Sequence, residues 1–155
     1  MIQIQKILNP TDFSEFSNHA LCYGCEFANR FGAELHLLHV VDESLTLPDP
    51  FLGAPVPDAE VHELERGART SIERLPEDGF RDGENPAARA VQIGVPFVEI
   101  VRYARQHGID LIVLGTHGRT GLAHALIGST AERVIRKAPC PVLTVRPEGH
   151  DFIMP

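Results

Sequence analysis

At 155 residues the chain suits one domain, long enough to bury a core without disulfide staples. Its composition, 43% apolar and 23% charged, is that of a globular protein and argues against extended disorder. The formal charge of −7 at pH 7 argues against a surface built for nucleic acid or anionic membrane, because either needs clustered Lys and Arg; a small anionic ligand stays compatible if its donors are local.

The opening residues combine no basic segment with an apolar core or cleavage pattern, and no apolar run approaches the roughly 20 residues of a membrane span, so a cytoplasmic location is expected. Cys22, Cys25 and Cys140 are an odd number, which points to reduced thiols.

Residues 2–8 read as a first strand stopped by Asn9-Pro10, which places Asp12 just past its carboxyl end. A carboxylate there suits a bound sugar or metal, and capping the next helix is the commoner use of a residue such as Asp12 or Ser14. That helix is expected over 15–31, burying Phe16, Ala20, Leu21, Phe27, Ala28 and Phe31, with Gly32 in the position that ends helices. Residues 34–41 form a second strand. The stretch 42–57 holds Pro48, Pro50, Pro55 and Pro57 and reads as a loop or lid.

A second helix follows, capped by Asp58, with Val61, Leu64, Ala68, Ile72 and Leu75 as its apolar stripe and Pro76 as its stop. After a polar segment, 89–93 is a short third strand. Pro96 opens a helix carrying Phe97, Ile100, Val101 and Ala104, and Gly108 closes it. Leu111-Ile-Val-Leu114 is an unbroken apolar run, as in a parallel strand buried on both faces. A fourth helix starts near Ser129, where Ser129-x-x-Glu132 has capping-box spacing, and buries Ala131, Val134, Ile135 and Ala138. Pro139-Cys140-Pro141 breaks it before a last strand over 142–145. The alternation βαβαβαβαβ implies a single-domain α/β fold, a parallel sheet with helices on both faces joined by right-handed crossovers. The domain is expected over 1–147, with 148–155 a short tail.

Between the fourth strand and the fourth helix lies a glycine-bearing loop from Gly115 to Gly128. A loop leaving a strand's carboxyl end for a helix amino end presents free N–H groups and the positive end of a helix dipole, so an anion is its natural occupant. Taken singly, each glycine is as readily a turn or strand-end residue. Ser129 can cap its own helix or turn to a phosphate. His117 and Arg119 are candidates to touch phosphate or sugar, and each is as readily a loop side chain facing water. Neither the P-loop pattern G-x-x-x-x-G-K-[ST] nor G-x-G-x-x-G occurs.

Gly115-x2-Gly118-x9-Gly128-Ser129 matches the G-2x-G-9x-G-[ST] signature of nucleotide-binding universal stress proteins, and the chain resembles that family from Lys6 to Arg146. Supporting stretches are Ile7-Leu-Asn-Pro-Thr-Asp-Phe-Ser14, Leu37-Leu-His-Val40, Gly94-Val-Pro96, Asp110-Leu-Ile-Val-Leu-Gly115 and Ala138-Pro-Cys-Pro-Val-Leu143. The resemblance implies a five-stranded parallel sheet of order 3-2-1-4-5, a Rossmann-like adenine-nucleotide fold, with ATP and a divalent ion, Mg or Mn, held through the phosphates. By the same resemblance Pro10, Thr11 and Asp12 line the nucleoside pocket and the backbone at Val40 meets adenine. Gly115, Thr116, His117, Gly118 and Arg119, with Gly128, Ser129 and Thr130, hold ribose and phosphates. Thr130 stands where a small apolar residue is usual, a mild departure because its backbone is the part used. A homodimer through the last strand, Val142 to Val145, is also implied, and no side chain of the chain is expected to bind the metal directly.

Two further features carry less. Cys22-x-x-Cys25 lies inside the first helix, not at a helix start after a strand, and lacks nearby ligands for zinc, so these read as ordinary helix residues. His36 and His39 are three apart on a strand and face opposite sides. No catalytic residue is evident, because phosphoryl transfer relies on positioned charge and an oriented nucleophile, and the loop has neither lysine nor clear base. The expected role is therefore a cytoplasmic ATP-dependent stress-response regulator. The alternative is a slow ATP-hydrolysing or adenylyl-transferring enzyme on the same site.

Overall fold

The computed structural model describes residues 2–42, 58–76, 88–117 and 127–146. The proline-rich stretch 43–57, the polar segment 77–87 and the expected tail 148–155 lie outside them. The elements are β1 (Lys6–Thr11), α1 (Glu15–Phe31), β2 (Glu34–Asp42), α2 (Asp58–Glu73), β3 (Ala88–Gly94), α3 (Pro96–His107), β4 (Leu111–Gly115), α4 (Ser129–Lys137) and β5 (Val142–Val145). All five strands are parallel, in the order β3-β2-β1-β4-β5. The alternation of helical and unbroken apolar segments leads to this sheet because parallel neighbours need crossovers, and the helices that supply them cover both faces.

Side chains alternate across the sheet, so each central strand feeds two cores. Ile7, Leu35, Leu37, Val41 and Val113 join Ala20, Leu21, Ala28 of α1 and Ala68, Ile72 of α2 on one face. Leu8, Leu38, Ile112 and Leu114 join Ile100, Tyr103, Ala104 of α3 and Ala131, Val134 of α4 on the other.

β1 runs three residues further than expected, through Asn9-Pro10 to Thr11, and starts at Lys6 instead of Ile2. Proline is tolerated there for a specific reason. The Lys6 carbonyl accepts from the Asp110 amide, so even-numbered positions of β1 point their backbone groups at β4, and position 10 lacks the N–H that the Val113 carbonyl would have received. Regular β1–β4 pairing accordingly ends at Leu8↔Ile112. The side chain of Asn9, fully buried, donates from Nδ2 to that Val113 oxygen at 2.7 Å instead.

The buried stripe of α1 keeps Ala20, Leu21 and Ala28 of the expected face and has Ser17 and Gly24 where phenylalanines were expected; Phe31 is half exposed. Small residues at that spacing bring the helix close to β1, and a Cβ at Gly24 would sit 3.3 Å from Asn9 Nδ2. The larger Phe16 and Phe27 are left at the margins, partly buried. α4 starts one residue earlier than a Ser129 cap would place it: Gly128 is the cap, without a side-chain hydrogen bond, so the capping box is not formed. Ile135 is likewise exposed, because the short helix buries only Ala131 and Val134 deeply. α1 is capped by Ser14, which accepts from the Ser17 amide, and Gly32 and Gly108 close α1 and α3 in the left-handed conformation.

Cys22 and Cys25 lie mid-helix in α1, and all three cysteines are free thiols. Burial first, and neighbouring Cys22 second, push the Cys25 thiol up to about 11, the opposite of an activated redox cysteine. His36 and His39 do face opposite sides. His36 meets the Tyr103 hydroxyl of α3 at 3.0 Å, whereas His39 stacks on Phe13 ahead of α1.

Candidate functional site

In this strand order the chain builds β1, β2 and β3 outward on one side, then crosses to β4 and β5 on the other. Two neighbouring strands, β1 and β4, therefore send their following segments to different places, and a crevice opens beyond their carboxyl ends. A cavity of about 660 Å³ lies there. β1 contributes Pro10 and Thr11, followed by Asp12 and Phe13; β2 contributes Leu38 to Asp42; β4 contributes Leu114 and Gly115, followed by Thr116 and His117. Gly128, Ser129, Thr130 and Ala131 bring in the amino end of α4, and Pro96 and Ile100 that of α3.

The turn from β1 to α1 is tightly tied. The Phe13 amide donates to Thr11 Oγ1 at 3.0 Å, and the Ser14 amide and hydroxyl both donate to Asp12 Oδ1, at 3.0 and 2.6 Å. Phe13 has φ 64°, the left-handed region that a bulky residue seldom occupies. Asp12 is thus held at the mouth while Ser14, not Asp12, caps α1.

At the other wall the glycine loop's two ends are laced together. The Gly128 amide donates to the Thr116 carbonyl at 2.6 Å, and the Thr116 amide donates to the Val145 carbonyl at 2.9 Å. A Cβ at Gly115 would lie 3.0 Å from the Phe16 carbonyl and 3.2 Å from that of His117, so this glycine admits a close backbone approach by α1. Thr116 Oγ1 lies 2.9 Å from His117 Nδ1. The uncapped amino end of α4 leaves its first amides without side-chain partners from a capping residue, at the cavity wall.

The cavity brings together Pro10, Thr11, Asp12, Val40, Gly115, Thr116, His117, Gly128, Ser129 and Thr130. Gly118 and Arg119 lie outside the described residues. Sequence reasoning missed the α2 wall, formed by Glu63, Leu64, Gly67, Ala68 and Ser71, and missed His39 and Phe13. The sequence carried no signal for this wall; in the structure Leu64, on the apolar stripe of α2, lines the cavity and is about half exposed. Three carboxylate residues, Asp12, Asp42 and Glu63, line the cavity, and no Lys or Arg does so among the described residues. Among the described residues there is also no group of three or more His, Cys, Asp or Glu arranged to hold a metal, and no helix long and apolar enough to cross a membrane.

Fold and cavity together define a doubly wound parallel α/β protein with a ligand crevice at its topological switch point. Residues 3–146 match the family model described as the universal stress protein family, and the chain belongs to that family. It is 34% identical to universal stress protein MJ0577 of Methanocaldococcus jannaschii, over 94% of this chain and 96% of that protein. It is 39% identical to universal stress protein MJ0531 of the same organism, over 92% of this chain and 82% of that protein. The solved structure of MJ0577 superposes with a TM-score of 0.82 at 33% identity, covering 96% of this chain and 99% of that one.

Proposed function

We propose that this universal stress protein binds ATP in the crevice and acts as a nucleotide-dependent stress-response regulator. The observation that carries the reading is the amino end of α4. Gly128 caps it without a side chain and Ser129 and Thr130 follow, so backbone donors and the helix dipole stand where phosphates would lie. In this reading Gly115, Thr116, His117, Gly118 and Arg119 continue the cradle, Asp12 with Pro10 and Thr11 meets the sugar, and the β2 backbone at Val40 meets the base. An exposed helix terminus contributes roughly 0.3–1 kcal/mol, whereas micromolar binding needs about 8 kcal/mol. Base and sugar contacts therefore supply most of the affinity, in keeping with the apolar strand ends and Ile100 that line the inner wall.

The cavity's charge adds a condition. Three carboxylates and no described lysine or arginine make it a poor host for a bare triphosphate, so a divalent cation, Mg or Mn, accompanies the phosphates and offsets that repulsion. Protein denatured directly after purification should release adenine nucleotide into the supernatant on chromatography. Added Mg-ATP should raise the melting temperature of nucleotide-stripped protein, and ATP with EDTA should do so far less. An empty supernatant together with an unmoved melting curve would leave the crevice without a nucleotide role. Continuous ADP production well above a few turnovers per hour, lost on changing Asp12, would shift the reading from regulator to enzyme.

The regulator is read as a homodimer joined through β5. This strand stands at the sheet edge, and pairing an exposed edge with a second copy satisfies its backbone. Pro141 and Val145 turn their carbonyls to β4, so the backbone of Val142 and Thr144 points outward. Thr144→Pro removes an outward N–H while sparing the β4 ladder. It should convert a dimer to a monomer in light scattering without lowering the melting temperature of the fold by more than a few degrees; an intact dimer would place the interface elsewhere.

A further inference from the structure

We infer that His39 is a positioning residue that holds the β1–α1 turn, and through it Asp12, in the shape a ligand meets; its effect on binding rests on the nucleotide reading above. His39 is buried at the last rung of the β1–β2 ladder, opposite Thr11. Its Nδ1 lies 2.8 Å from the Thr11 carbonyl oxygen. A carbonyl only accepts, so Nδ1 carries the proton and donates. Its ring stacks on Phe13, with centroids 4.4 Å apart and planes 28° from parallel.

Phe13 is the residue in the left-handed conformation, which is unfavourable for a bulky side chain and persists only where surrounding structure enforces it. The local hydrogen bonds of the turn, from Phe13 to Thr11 Oγ1 and from Ser14 to Asp12 Oδ1, tie the segment to itself. The imidazole is what β2 adds. It grips the turn on both sides of Asp12, by hydrogen bond at Thr11 and by ring contact at Phe13. Release of both holds lets Phe13 relax to negative φ, and that rotation swings the Asp12 carboxylate away from the crevice.

The test is a double-mutant cycle read by Mg-ATP titration and by amide exchange. His39→Leu removes both holds and should weaken binding at least about tenfold, whereas in an Asp12→Ala background the same change should cost less than about twofold, because the group it positions is gone. His39→Asn keeps an N–H donor near the place of Nδ1 and should restore most of the affinity. Equal Mg-ATP affinity in wild type and His39→Leu, or the same loss with and without Asp12, would overturn the inference. Amide exchange separates this from failure of the nucleotide reading itself. Without any ligand, His39→Leu should speed exchange at Phe13 and Ser14 by about tenfold or more while leaving the β2 core unchanged, and unchanged protection at those two amides would refute the turn-holding role even if wild type bound no nucleotide.

Discussion

Gly128→Leu is expected to raise the dissociation constant for Mg-ATP about a hundredfold, a loss of roughly 2.7 kcal/mol. The cause is space and not backbone conformation. Gly128 sits in the ordinary extended region, φ −67° and ψ 151°, which any residue adopts. A Cβ there would stand 3.2 Å from the Thr116 carbonyl oxygen, the same atom that receives the Gly128 amide. Alanine therefore needs only a few tenths of an ångström of yielding and should weaken binding by no more than about threefold. Leucine adds a branched group across the first amides of α4 and covers the donors that phosphates would use. Titration with a fluorescent ATP analogue, alongside melting of the ligand-free variants, separates the outcomes. Wild-type affinity in Gly128→Leu would mean that phosphates do not reach the helix end. A ligand-free melting temperature far below wild type would instead show that the Thr116–Gly128 lacing serves the fold before it serves a ligand.

Asn9→Ala is expected to destabilise the fold by about 3 kcal/mol, by adding a cavity to an unsatisfied Val113 carbonyl. Position 9 is fully buried between α1 and the central sheet, and its amide replaces the backbone donor that Pro10 lacks. Asn9→Leu should cost less, about 1–2 kcal/mol, because its γ-branched side chain leaves no cavity where alanine would. Among the described residues Asn9 Oδ1 has no hydrogen-bond partner, so the wild-type residue already carries a desolvation penalty that leucine relieves. Urea denaturation of the three proteins measures the differences. Two variants within about 0.5 kcal/mol of wild type would show that water or a sheet adjustment satisfies Val113 without Asn9.

The two experiments address different links in one arrangement. Pro10 interrupts pairing between β1 and β4 just where the sheet opens into the crevice, and Asn9 closes that break from inside. The strand can then end at Thr11, with its side chain and carbonyl free to organise the turn that carries Asp12. A proline that reads as a strand terminator is thus part of how the crevice is framed.

The sequence by itself determined the order of elements, the sheet topology through its family resemblance, and part of the crevice wall. Buried parallel strands are continuous apolar runs and their crossover helices repeat at helical spacing, both of which are local patterns. Asp12 and Gly115 were legible because a switch-point ligand site lies at strand ends, whose positions those patterns mark; Gly128 was legible from the start of the helix that follows, and Pro10 and Thr11 from the family resemblance. Tertiary structure alone decided three things. It chose Ser17 and Gly24 over Phe31 as the buried side of α1, since close approach to Asn9 favours small residues over the most apolar ones. It moved the cap of α4 from Ser129 to Gly128, since lacing to Thr116 sets where the helix can begin. It also brought α2 and His39 to the crevice, 28 residues from Thr11 along the chain in the case of His39. Contacts at such separations depend on how elements pack, and periodicity within one element carries no record of what the opposite element presents.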